Sequence, residues 1–178
     1  MVFGFGNSQQ TAWGRVDASV EELLIAARAL HKTVEPDPSD LGILGAGSIG
    51  ARAESVRQAI NKLNKAMAAC AAAESDGKMQ EYQIESVLHR IEINSPLLIG
   101  VLERMGTVHF HRFRELGMGL PTIVKAALTW IESSTKACCT TLERVNESPE
   151  LVQRISLINN RLLDAASEAL EVYSGTES

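Results

Sequence analysis

The sequence predicts an all-α protein, an antiparallel bundle of five to six amphipathic helices. Three observations predict it. Apolar residues recur at three- and four-residue steps along every long stretch, the period of a helix face. No alternating run of strand length occurs. The 45% apolar content rests on Ala, Leu, Ile and Val, while aromatics reach only 4%, too few for the large β-formers that fill sandwiches and barrels. A chain of 178 residues suits one domain with a real core. Residues 1–10 read as a tail, 11–174 as the bundle and 175–178 as a second tail.

The elements follow in order. Trp13, Val16, Val20, Leu23, Ala27, Leu30 and Val34 mark the first helix, which Pro36 and Pro38 stop. The glycine-rich stretch from Asp40 to Gly50 reads as a loop, with Ser48 as N-cap of the second helix. That helix carries Ile49, Ala53, Val56, Ile60, Leu63, Met67 and Cys70 on one face, opposite Arg52, Lys62 and Lys65. The third holds Met79, Tyr82, Ile84, Val87, Leu88 and Ile91. Ser95 and Pro96 then start a fourth as N-cap and N1, or kink a continuous helix. Leu98, Val101, Leu102, Met105, Phe113 and Leu116 form the next stripe, closed by Gly117-Met118-Gly119. Pro121 opens the fifth helix and Ser148-Pro149-Glu150 the sixth.

Composition excludes several functions. A net charge of −5 argues against general binding of nucleic acid or an anionic membrane. No uncharged run is long enough to span a bilayer. The three cysteines, Cys70, Cys138 and Cys139, make neither a disulfide framework nor a metal spacing and read as small apolar fillers. No metal and no cofactor is expected. The first residues lack a basic region followed by an apolar run, so the chain as read is cytoplasmic, or secreted if a leader has been removed. A homodimer is left open.

The motifs are weak. Gly45-Ala-Gly47-Ser-Ile-Gly50 matches GxGxxG, but a dinucleotide site needs a strand before it and an acid after a second strand, and neither is present. His109 and His111 sit two apart, so on a helix they face different ways and do not chelate together. With Arg104, Arg112 and Arg114 they read as an exposed basic helix end, a modest anion patch in its functional version. His89 lies among Leu88 and Ile91 and reads as a core or boundary histidine, or as the polar tip of an internal pocket. Tyr82 has the same ambiguity. Glu81, Glu85 and Glu92 read as a solvated face.

One resemblance covers Thr11 to Ser174. It rests on the Ser48-Ile49 helix start, the Ser95-Pro96 punctuation and the Gly-Met-Gly-Leu-Pro121 turn. It rests also on the Ser-Pro-Glu-Leu151 start and the closing stretch Asn159 to Ser174. The chain resembles the fungal hydrophobic surface-binding protein A family, which includes the cell-wall galactomannoproteins. The resemblance implies a bundle of about five helices that binds hydrophobic surfaces, with some members holding fatty acids between helices.

An aromatic-poor bundle has little bulk to fill its axis and either closes tightly on small residues or leaves a pocket; the first expectation is a cavity for a fatty acid or apolar metabolite. Ile60, Leu63, Met67, Leu88, Val101, Leu102, Met105, Leu128 and Ile131 are its expected walls, and His89, Tyr82 or Arg104 meets the polar head. The alternative is a cofactor-independent cyclase or isomerase in the same cavity, with His89 or His109 as catalytic group. A helical protein-interaction module is the third.

Overall fold

The computed structural model describes residues 5–175, with side chains from Thr11 onward. The described residues form six α-helices: α1 (Phe5–Val34), α2 (Ile43–Ala72), α3 (Glu81–Thr107), α4 (His109–Leu116), α5 (Leu120–Arg144) and α6 (Pro149–Ser174). A short 3₁₀ turn, Pro38–Asp40, links α1 to α2. No strand occurs among the described residues. The all-α expectation holds. Because α1 begins at Phe5, helix reaches back into the stretch expected to be a tail, while residues 1–4 and 176–178 lie outside the described ones.

The five long helices form a ring in the order α1, α2, α5, α6, α3 and back to α1. Helices alternate direction along the chain, as expected for an up-and-down bundle. Their neighbours in space do not all alternate. Glu22 on α1 pairs with Lys62 on α2 at 2.7 Å across an antiparallel seam. Gly50 and Arg57 of α2, by contrast, lie against Ile123 and Trp130 of α5, and that seam is parallel. So is the α3–α6 seam, where Arg154 meets Glu92 and Ala169 meets Gly106. The α1–α3 seam is parallel too, from Arg90–Asp17 to Arg104–Val34. The α2–α3 connection makes this possible by crossing below α5, where Met79 N–H donates to Val145 O at 2.9 Å and Lys78 Nζ to Arg144 O at 2.7 Å.

Three boundaries differ from expectation, one of them a break at Val108 that splits the stripe read from Leu98 to Leu116 between α3 and α4. The α2 helix starts at Ile43 with Gly42 as N-cap, so residues 43–50 of the stretch read as a loop, Ser48 included, are its first two turns. Each helical glycine costs about 1 kcal/mol relative to alanine, but Ala46 and Ile49 are buried on the inner face and offset it. Gly45 also lets the Leu41 side chain fold against the backbone: a Cβ there would stand 2.6 Å from Leu41 Cδ1. The third difference is α3, which runs unbroken through Pro96. Proline cannot donate to the carbonyl four residues back. Ser95 Oγ donates to that carbonyl, Glu92 O, at 2.9 Å instead. Of the two readings of Ser95-Pro96, the continuous helix is the one found.

The Gly117-Met118-Gly119 turn ends α4 as expected. All three residues have positive φ, +66°, +53° and +71°, conformations open to glycine but strained for Met118. A close approach joins α3 and α6, where a Cβ on Gly106 would lie 2.8 Å from Ala169 Cα. One turn further, Tyr173 OH donates to Met105 O at 2.7 Å, satisfying a carbonyl in the last turn of α3.

Candidate functional site

A pocket lies on the axis of the ring. Its walls come from all five long helices: Leu24 and Ala27 of α1, Ile60 of α2, Leu88 and Leu98 of α3, Cys138 and Leu142 of α5, and Ile155 and Leu162 of α6. Its free volume is about 60 Å³. A single water needs roughly 10–15 Å³ on that measure, and a site enclosing a whole organic ligand typically offers about 300–1,000 Å³. The pocket is therefore a narrow slot that a guest must widen.

Nearly everything facing the slot is carbon or sulfur. Burial pushes the Cys139 thiol up to about 12, and it raises Cys138 as well. Both thiols stay protonated at neutral pH and act as apolar wall rather than as nucleophiles. The polar liners are Asn94, Ser95 and Thr135. Asn94 Nδ2 donates to Arg90 O at 2.8 Å, and the Ser95 hydroxyl is engaged by Glu92 O.

Of the residues expected at such a site, Ile60 and Leu88 line the slot. Leu63, Met67, Val101, Leu102, Met105, Leu128 and Ile131 are buried in the core but lie outside it. The three expected head-group partners are elsewhere. Tyr82 is 64% exposed and His89 is exposed too. The inward face of α3 is Ile84, Val87, Leu88 and Ile91, and His89 sits one residue, or about 100°, off it. Arg104 turns to the end of α1, with Nε donating to Val34 O at 2.9 Å and Nη2 to Glu35 O at 2.8 Å. The walls from α1 and α6 went unnamed in the sequence reading. Their stripes were visible there, and the missing information was which helices adjoin.

The basic stretch around α4 is corrected more strongly. His109 is 1% exposed, not at an open helix end. Its Nε2 donates to Val34 O at 2.7 Å, and its ring stacks on Phe113. Arg112 Nε donates to Leu41 O at 3.0 Å, and its Nη1 pairs with Glu115. Arg114 lies over the Phe110 ring. Arg104, His109 and Arg112 fasten the end of α1 and the α1–α2 connection to α3 and α4 instead of forming an anion patch. Glu92 and Glu85, read as a solvated face, hold Arg154 of α6 at 2.7 and 3.7 Å. That guanidinium keeps the Glu92 carboxyl below its usual range. Among the described residues no group of three His, Cys, Asp or Glu is placed to hold a metal ion.

Burial lowers the His109 pKa, outweighing the Val34 carbonyl, which favours the charged form. The neutral ring leaves Nδ1 buried without a partner. Between the lowered folded value and the ordinary value near 6.5, the unfolded chain binds more protons than the folded one. Stability is therefore expected to fall as pH drops below about 6.5. The urea midpoint measured at pH 7.5 and pH 5 should show this, and His109→Gln should flatten the difference. An equal pH dependence in the variant would show that His109 is not the source.

A second, outer groove lies between α2 and α5, with Gly50, Ile123, Ala126 and Trp130 along it and Arg57 over the Trp130 ring at 5.6 Å. No helix of the described residues is long and apolar enough to cross a membrane.

This geometry defines a class: a ring of long helices around an axial apolar slot. Solved structures share the fold. AfMP4p in complex with palmitic acid aligns over 90% of this chain and 99% of its own, with a TM-score of 0.74 at 17% identity. Ligand-binding domain 1 of the Penicillium marneffei MP1 protein, complexed with arachidonic acids, aligns over 88% and 95%, with a TM-score of 0.72 at 10% identity. Domain 2 of the same protein, complexed with multiple arachidonic acids, covers 99% and 100% with a TM-score of 0.55 at 10% identity. No protein-family profile matches the sequence, and no curated protein matches it.

Proposed function

We propose that this protein binds a fatty acid or a similar single-chain amphiphile, with the acyl chain in the axial slot. The observation that carries this reading is the apolar slot itself, walled by all five long helices and lined by protonated thiols and aliphatic carbon. The bound palmitic and arachidonic acids of the structural neighbours support it. So does the sequence resemblance to the hydrophobic surface-binding and galactomannoprotein family, to which we assign the chain. Each buried methylene contributes about 0.8 kcal/mol, so ten supply roughly 8 kcal/mol against the costs of association and of parting the helices.

The enzyme alternative lacks its residues. Neither His89 nor His109 lines the slot, and no described liner is a carboxylate or an imidazole. Native mass spectrometry of delipidated protein with palmitate is the direct test. A one-to-one complex that survives mild activation is expected, and the same spectrum reads monomer against homodimer. Absence of any complex at tens of micromolar palmitate would refute the proposal.

A further inference from the structure

We infer that the ligand enters tail first through the seam between α1 and α3, and that its polar head stays at that mouth beside Asn94. This rests on the fatty-acid reading above. The slot's walls differ in exposure. Every liner from α2, α5 and α6 is buried, whereas Leu23 of α1 and Ile91 and Asn94 of α3 are partly exposed. The slot therefore reaches solvent between α1 and α3.

Polarity then fixes the direction of the guest. A carboxylate carried past Cys138 and Ile155 would lose its water and meet only the Thr135 hydroxyl among the polar liners there. At the mouth it stays hydrated. Asn94 is the one described liner both polar and partly exposed, and an amide that gives one N–H to Arg90 O keeps another to donate. Arg90 stands one turn earlier on α3. Its guanidinium bridges the seam to Asp17 of α1 at 2.7 Å, setting an ion pair at the mouth's edge. The α3 edge is also the wall with a main-chain defect, since Pro96 leaves Glu92 O to a serine hydroxyl.

Two measurements test the direction. The first uses Ile91→Trp in a Trp13→Phe, Trp130→Phe background, with stearic acid carrying a nitroxide at carbon 5 or at carbon 16. The carbon-5 label is expected to quench the mouth indole at least twofold more than the carbon-16 label. The reverse order, or equal quenching, overturns the tail-first direction. Binding without quenching places the ligand elsewhere and overturns the inference while fatty-acid binding stands. Absence of binding by the wild-type chain overturns both. The second measurement compares palmitate with its methyl ester. Asn94→Asp is expected to weaken the acid about tenfold relative to the ester, because like charges repel. Equal loss for both ligands would show that Asn94 serves the fold and not the head group.

Discussion

Cys138→Phe is expected to abolish palmitate binding, by more than a hundredfold, while the bundle stays folded. Cys138 is a buried wall of the slot on α5, and its thiol has no hydrogen-bonding duty that a phenyl ring would leave open. The slot offers about 60 Å³, and the new ring takes that space from the acyl chain. Overpacking typically costs about 1–3 kcal/mol, part of which filling the void offsets. Displacement of a fluorescent fatty acid, with thermal unfolding followed by circular dichroism, separates the two effects. Wild-type affinity in the variant would show that palmitate binds outside the axial slot, and the outer groove at Ile123 and Trp130 would become the site to examine.

Gly106→Leu is expected to remove the cooperative unfolding transition altogether. The atom nearest to a Cβ at Gly106 is Ala169 Cα, at 2.8 Å, with Ala169 Cβ at 3.1 Å. A backbone atom cannot rotate aside, so α3 and α6 must separate. The buried Tyr173–Met105 hydrogen bond depends on that same approach. Gly106→Ala is the graded version, with a loss of about 1–3 kcal/mol. Adding Ala169→Gly should recover only part of it, since the closest clash is with Cα. Urea denaturation of the three variants checks the series, and full stability in Gly106→Ala would show that the helices have room to move apart.

The helices were legible because period and punctuation agree along most of the chain. Pro149 and the Gly117–Gly119 turn mark real boundaries. The start of α2 was not legible, since four glycines between positions 42 and 50 favour a loop locally and only burial of Ala46 and Ile49 reverses the preference. His109 was misjudged for a related reason. Three arginines nearby suggest a solvated end, but two of them, Arg104 and Arg112, cap the α1–α2 connection, a role that no local pattern encodes. The shortage of aromatics pointed to a hollow axis, and the structure has only a narrow apolar slot of about 60 Å³ there. Which side chains face it was not legible, because the walls depend on the order of helices around the ring. Leu23 and Ile155, separated by most of the chain, meet at one slot.

The ring order has a consequence for how the chain acquires its shape. Hairpins α1–α2 and α5–α6 close through short connections, whereas α3 touches α1 and α6 across long separations, such as the 73 residues from Asp17 to Arg90 and the 62 from Glu92 to Arg154. Contacts local in sequence form early and distant ones late, so the seams of α3, like the α2–α5 seam, are expected to close after the two hairpins. Parting α1 from α3 to admit a fatty acid then retraces a late step of folding. Guest exchange and partial unfolding become one motion, and a tighter α3 would make the protein both longer-lived and slower to load.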